Sequence, residues 1–307
     1  MFKSIRILLA IAAYYDYEIW IMDVKTMFLN GHLTEDVYMV QPKGFEDLKN
    51  PNKVCKLNKS MYGLKQASES WNLRFDQKTK EFGFVKNEDE PCVYKKESGS
   101  HVIFLILYVD DILLIGNHIP MLKDVKSWLG KCFAMKDLGD VAYILGIKIY
   151  RDRSKQLIGL SQSTYIDKFI RRFFMQDSKR GSLPMVHGTI LNNKQCPQSD
   201  EDKKKMERVP YASAIGSIMY TMLCTRFDVS IKQSVVAQST TESEYIAVSE
   251  VANEAAWMKK LIADLGVMPS IQKPIEILCD NTDAIAQAKE PRSHHSTKHI
   301  LRRFHYI

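Results

Sequence analysis

The sequence predicts an α+β fold, and three stretches carry the prediction. Residues 102–109 and 112–116 are apolar, β-branched-rich runs on either side of Asp110-Asp111, with the length and composition of two buried strands joined by a turn. Trp71, Phe75, Thr79 and Phe82 recur at helical spacing, which predicts an amphipathic helix over residues 67–81 that Gly83 ends. Residues 5–15 are apolar enough for a buried helix and lead into a strand over residues 18–24, with Asp23 at its far end.

The aspartate pair constrains its own setting. An unpaired charge is costly to bury and two side by side repel, so a tight turn that meets a divalent cation suits Asp110-Asp111. Hard oxygen ligands of this kind suit Mg2+. Taken alone, the pair fits equally an ordinary hairpin with two solvated turn aspartates.

The other elements follow in order. Residues 31–53, with Pro42, Gly44 and Pro51, predict loop-rich, finger-like excursions. Residues 92–96 and 102–109 predict two strands joined through Ser98-Gly99-Ser100, and residues 121–133 a helix. Residues 142–149 look like a known family's primer-grip hairpin. Ser163 or Thr164 then caps a helix whose Ile166, Phe169, Ile170 and Phe173 face inward. Residues 182–208 change character and predict an exposed tether with a short charged helix. A further helix, opened by residues 239–241, carries Glu244, and an apolar strand over 275–279 ends at Asp280.

The chain has 307 residues, room for two or three modest domains, and its 45% hydrophobic and 26% charged content is ordinary for globular protein. The net charge of +7 is compatible with a polyanionic partner and does not establish one. Cys55, Cys92, Cys132, Cys196, Cys224 and Cys279 are far apart and predict free thiols in a reducing compartment. Lys3 and Arg6 before the apolar residues 7–13 imitate a secretory leader, but Tyr14, Tyr15, Asp16 and Glu18 interrupt the run, which is also too short to span a bilayer. His295 and His299, four apart, have no cysteine or acidic partner nearby and read as surface residues rather than a zinc pair.

Tyr108-Val109-Asp110-Asp111 resembles the reverse-transcriptase signature. Residues 21–31, 59–68, 209–228 and 241–247 resemble, in order, blocks of the copia-type retrotransposon Pol polyprotein. The resemblance implies a reverse-transcriptase palm and thumb with a truncated RNase H-like α/β segment. Its boundaries would be a palm with partial fingers over 1–140, a primer grip and thumb-like segment over 141–181, a tether and connection remnant over 182–230, and a partial RNase H-like domain over 231–307.

The implied activity is RNA-directed DNA polymerase by two-metal nucleotidyl transfer, with Asp23, Asp110 and Asp111 as catalytic residues and as ligands of two Mg2+ ions. Phe28, Tyr62, Gly63, Lys65 and Tyr108 would bind nucleotide and template, with Phe28 stacking under the incoming sugar. Met27 stands where the family has alanine, and a long thioether beside the triphosphate is expected to crowd that pocket. Glu244 and Asp280 match an RNase H carboxylate cluster. Implied partners are an RNA template, a DNA primer, dNTPs and other parts of the Pol polyprotein, with no membrane. The implied setting is cytoplasmic or nuclear, in a virus-like particle, and not secreted.

Besides Met27, the chain departs from the pattern in four places. The fingers block before Asp23 is absent, and Phe227 replaces a usual proline. Ser230 runs directly into Ile231, where the family has a long connection and the first RNase H strands, and Leu301 stands where the last RNase H carboxylate is expected. RNase H activity is therefore expected to be lost. The alternative reading is a catalytically inactive relic with residual nucleic-acid binding.

Overall fold

The computed structural model describes residues 2–179, 196–226 and 240–289. Its elements in chain order are α1 (Phe2–Tyr14), β1 (Glu18–Val24), β2 (Tyr38–Val40), β3 (Val54–Lys56), α2 (Ala67–Glu81), β4 (Val85–Lys86), β5 (Val93–Ser98), β6 (His101–Tyr108), β7 (Asp111–Gly116) and α3 (Ile119–Cys132). There follow β8 (Met135–Asp140), β9 (Tyr143–Ile144), β10 (Ile147–Asp152), β11 (Leu157–Ser161), α4 (Ser163–Arg172), α5 (Asp200–Glu207), α6 (Tyr211–Cys224), α7 (Thr240–Leu265) and α8 (Thr282–Lys289). Mixed helix and sheet agree with the α+β expectation. The chain divides into two compact units, residues 1–22 with 137–231 and residues 23–136 with 232–307.

In the first unit, α1 buries Ile5, Leu8, Leu9, Ile11 and Ala12, as an apolar helix must. The expected hairpin at 142–149 forms, and β11-β10-β9 make a three-stranded sheet with Ile144 opposite Ile147. Its turn residues Leu145 and Gly146 both have positive φ, 53° and 73°, a geometry that two-residue hairpin turns favour. The Tyr220 hydroxyl donates to the Leu145 carbonyl, and burial pushes this phenol up to about 12. Arg151 and Arg153 both reach Asp16, at 2.7 and 2.9 Å, and Arg153 also pairs with Glu18. The α4 cap is Gln162, not Ser163 or Thr164, because Gln162 is itself buried and accepts a 2.7 Å hydrogen bond from the Thr225 hydroxyl. Ile166, Phe169, Ile170 and Phe173 share one α4 face and are only half-buried. Ser199 caps α5, the charged helix expected in the tether.

In the second unit, β4, β5, β6 and β7 are antiparallel neighbours in that order, with the Asp23-Val24 end of β1 beyond β7. Residues 102–107 of β6 and 112–116 of β7 are buried continuously, so both strands are covered on both faces, which explains runs without alternation. Trp71, Phe75 and Thr79 of α2 and Leu122, Val125 and Leu129 of α3 supply buried side chains to this core. The rings of Trp71, Phe75, Tyr94 and Phe133 lie 5.2–5.9 Å apart in successive contacts. Residues 31–53 are loop-rich, as expected, around the short β2-β3 ribbon.

Residues 275–279 are extended but form no strand, correcting the sequence expectation, because strand identity requires a pairing partner and none is present among the described residues. Phe227, the Ser230 to Ile231 junction, His295, His299, Leu301 and most of the 182–208 tether expected before α5 lie outside the described residues. Among the described residues no helix is long and apolar enough to cross a membrane.

Candidate active site

The turn between β6 and β7 consists of Val109 and Asp110, closed by the pairing of Tyr108 with Asp111. Val109 has φ 56°, and a β-branched residue there costs about 1–2 kcal/mol. Two hydrogen bonds hold the strained turn. The Trp71 indole Nε1 donates to the Val109 carbonyl at 3.0 Å, and the Val24 amide donates to the Asp110 carbonyl at 2.9 Å. The second bond brings the strand end carrying Asp23 beside the aspartate pair.

Asp110 is exposed, while Asp23 and Asp111 are half-buried. Burial first, then the charges of Asp110 and Asp23, pushes the Asp111 carboxyl above the ordinary carboxylate range. The three acids therefore share one electrostatic field. Among the described residues, no three acidic, imidazole or thiol side chains converge as a ready-made cation cage. Like-charge repulsion favours such spacing. The three are hard oxygen donors of the kind a divalent cation takes, and its charge would offset the burial and the neighbouring charges that raise Asp111.

A second group of predicted residues lies on the loop after β1. Thr26 has φ 49° and opens a 3-10 turn over Met27–Asn30. Gly31 ends it so close to α2 that a Cβ would stand 2.8 Å from that of Ser70. Within this turn Met27 is buried and Phe28 half-buried. The Phe28 ring meets Tyr62 edge-on at 4.8 Å. The Ser60 amide donates to the Gly31 carbonyl at 3.0 Å, fastening the strip that carries Tyr62, Gly63 and Lys65. Gly63 has φ 96° and open space where a Cβ would be, and Lys65 is exposed. Sequence reasoning names Phe28 and Tyr62 separately and does not foresee their ring contact, and it treats Trp71 as core alone. The signal missed is the indole donor, which a buried tryptophan has to satisfy.

Glu244 on α7 and Asp280 before α8 are both exposed. Beside them, buried Tyr245 and Ala284 pack with Cys279 and Ala288. Among the described residues no third acid joins Glu244 and Asp280 in a metal-holding group.

A family model described as reverse transcriptase (RNA-dependent DNA polymerase) matches residues 1–187. The chain belongs to this family, and its relatives set it among the copia-type retrotransposon Pol sequences. It is 36% identical to the retrovirus-related Pol polyprotein from transposon TNT 1-94 of Nicotiana tabacum, over 99% of this chain and 29% of that protein. It is 28% identical to the Pol polyprotein from transposon RE1 of Arabidopsis thaliana, over 99% of this chain and 25% of the relative. A putative transposon Ty5-1 protein of Saccharomyces cerevisiae is 32% identical over 73% of this chain and 71% of its own length. The chain thus spans under a third of the tobacco and Arabidopsis relatives. The tobacco match runs over 384 positions against a chain of 307, so at least 77 positions have no counterpart here. No solved structure matches.

Proposed function

We propose that this chain is the palm-centred part of an RNA-directed DNA polymerase, extending a DNA primer with dNTPs on an RNA template. Asp23, Asp110 and Asp111 would hold two Mg2+ ions. When bound, such ions activate the primer 3'-hydroxyl and hold the triphosphate and leaving group. The chain's own residues do the rest. Phe28 lies under the sugar and excludes a ribose 2'-hydroxyl, with Tyr62 bracing its ring. Gly63 lets the backbone approach nucleotide and template closely, and Lys65 and Tyr108 flank them. The RNase H-like part, with only Glu244 and Asp280, contributes no hydrolysis.

The observation that supports this reading most is the 2.9 Å bond from the Val24 amide to the Asp110 carbonyl, which joins the two motifs that carry the acids. The rival is an inactive relic that retains nucleic-acid binding, favoured by the absence of a ready-made cage among the described residues. Primer extension with Mg2+ separates the two. Asp110→Asn is expected to leave template affinity within about twofold and abolish extension, since a ligand lost from a shared metal site has no neighbour to replace it. Extension by that variant at more than a few per cent of wild type refutes the assignment. No extension by the wild type, with template affinity retained, establishes the relic.

A further inference from the structure

The turn that carries Phe28 is fastened by a side chain at its far end. Both flanks of the turn are fixed to the core: the Val24 and Lys25 amides donate to the Asp110 and Ala134 carbonyls at 2.9 Å each, and the Ser60 amide donates to the Gly31 carbonyl at 3.0 Å. Between these anchors Thr26 sits at φ 49°. A β-branched residue resists that left-handed backbone, so bonds elsewhere in the turn have to keep it there. Thr26 makes no capping bond with its own side chain. The Leu29 amide donates to the Thr26 carbonyl at 2.9 Å and the Gly31 amide to the Phe28 carbonyl at 3.1 Å. Asn30 adds a side-chain clasp, its Nδ2 donating to the Met27 carbonyl at 3.2 Å and to the Thr26 carbonyl at 3.5 Å.

The clasp closes over Phe28, with its donor two residues after the ring and its acceptors on the two residues before it. The Met27 carbonyl shares a peptide plane with the Phe28 amide, so holding its oxygen fixes the plane from which the Phe28 side chain departs. Tyr62 meets the ring itself edge-on at 4.8 Å. Asn30 thus sets where the ring starts, and Tyr62 limits where it tips. We infer that Asn30 is a positioning residue for nucleotide selection: by fixing the peptide plane before Phe28 it sets the gap that a ribose 2'-hydroxyl has to enter. It acts through Phe28 and not on the nucleotide. The inference rests on the role proposed above for Phe28 and extends it to a residue outside the stacking pair.

The test is primer extension by the full chain with Mg2+, comparing kcat/KM for a ribonucleoside triphosphate with that for its deoxy counterpart. Asn30→Leu stays close to the original size, adds no charge near Asp23 and removes the donor. It is expected to raise the ribonucleotide-to-deoxynucleotide ratio at least about threefold, the order of one lost neutral hydrogen bond, through a rise in the ribonucleotide value itself. Asn30→Ser, whose hydroxyl can bond the carbonyl three residues back, is expected to return the ratio to within about twofold of wild type. In a Phe28→Val background Asn30→Leu should move the ratio by less than about twofold, because the ring it positions is gone. Amide exchange of residues 102–116 checks that the core stays closed, and Asn30→Ala makes the same comparison if Asn30→Leu unfolds. An unchanged ratio, an equal rise with and without the Phe28 ring, or a fall in both substrates together overturns the inference and leaves the polymerase reading standing. A wild type that extends no primer refutes the polymerase reading, and the selection role of Asn30 falls with it.

Discussion

Trp71→Phe tests how the aspartate turn is held. The indole donates a 3.0 Å hydrogen bond to the Val109 carbonyl, and losing it leaves that carbonyl short of a partner, at about 1–1.5 kcal/mol. The ring is 3% exposed and packs 5.2 Å from Phe133 and 5.4 Å from Phe75, so its smaller replacement adds a cavity cost of about 1–2 kcal/mol. The sum is about 2–3.5 kcal/mol. Val109→Gly should be close to neutral, because relief of about 1–2 kcal/mol at φ 56° is offset by about 0.5–1 kcal/mol of glycine entropy. If the indole restrains a strained turn, its loss matters less once glycine has removed the strain. The double variant is then more stable than the two single changes predict by about 0.5–1.5 kcal/mol. Urea midpoints measure the cycle, and amide exchange at residues 108–112 localises it. Additivity within about 0.3 kcal/mol would refute the coupling and return Trp71 to a packing role.

Phe28→Val should relax discrimination against ribonucleotides, read as the ratio of ribonucleotide to deoxynucleotide incorporation; an unchanged ratio makes Phe28 merely core. Asp111 binds its proton more tightly folded than unfolded, so its contribution to stability is greatest at low pH and is lost as pH rises through its elevated folded value. Without divalent cation, wild type should therefore lose stability relative to Asp111→Asn as pH rises from about 4 to 7, and Mg2+ should narrow the gap; parallel profiles in thermal melts contradict this. The purified chain should not cleave the RNA strand of an RNA-DNA hybrid with Mg2+ or Mn2+, and specific cleavage abolished by Asp280→Asn would reveal a replacement carboxylate.

The elements legible in the sequence are those whose signal is local. α2 runs from Ala67 to Glu81 and β1 from Glu18 to Val24, as the spacing of Trp71, Phe75 and Thr79 and the apolar run before Asp23 indicate. What was not legible depends on distant partners. Residues 275–279 have the composition of a buried strand but pair with no strand among the described residues, while the polar Met135–Asp140 becomes β8, a strand that composition does not announce. Met27 is buried next to Thr26, whose left-handed backbone no residue type there signals. In the candidate site, the aspartate pair was visible at once, but Asp23 joined it only through the order of family blocks. No glycine marked the positive φ at Val109.

Val109 and Asp111 are both costly choices with simple remedies. Glycine at 109 would remove the backbone strain, and asparagine at 111 would remove a carboxylate that burial, and then the charges of Asp110 and Asp23, disfavour. Neither acid can simply relax. Asp111 opens a strand whose next four residues are at most 1% exposed, and Asp23 precedes the residue bonded to the Asp110 carbonyl. The surrounding core thus imposes on this turn a geometry and a charge density that do nothing for stability. Strain and repulsion gathered at one exposed turn, and braced from both sides, are what a site arranged for a cation requires. A fold shaped only by its own stability would have given way at one of these positions, which is why we favour the polymerase reading over the relic.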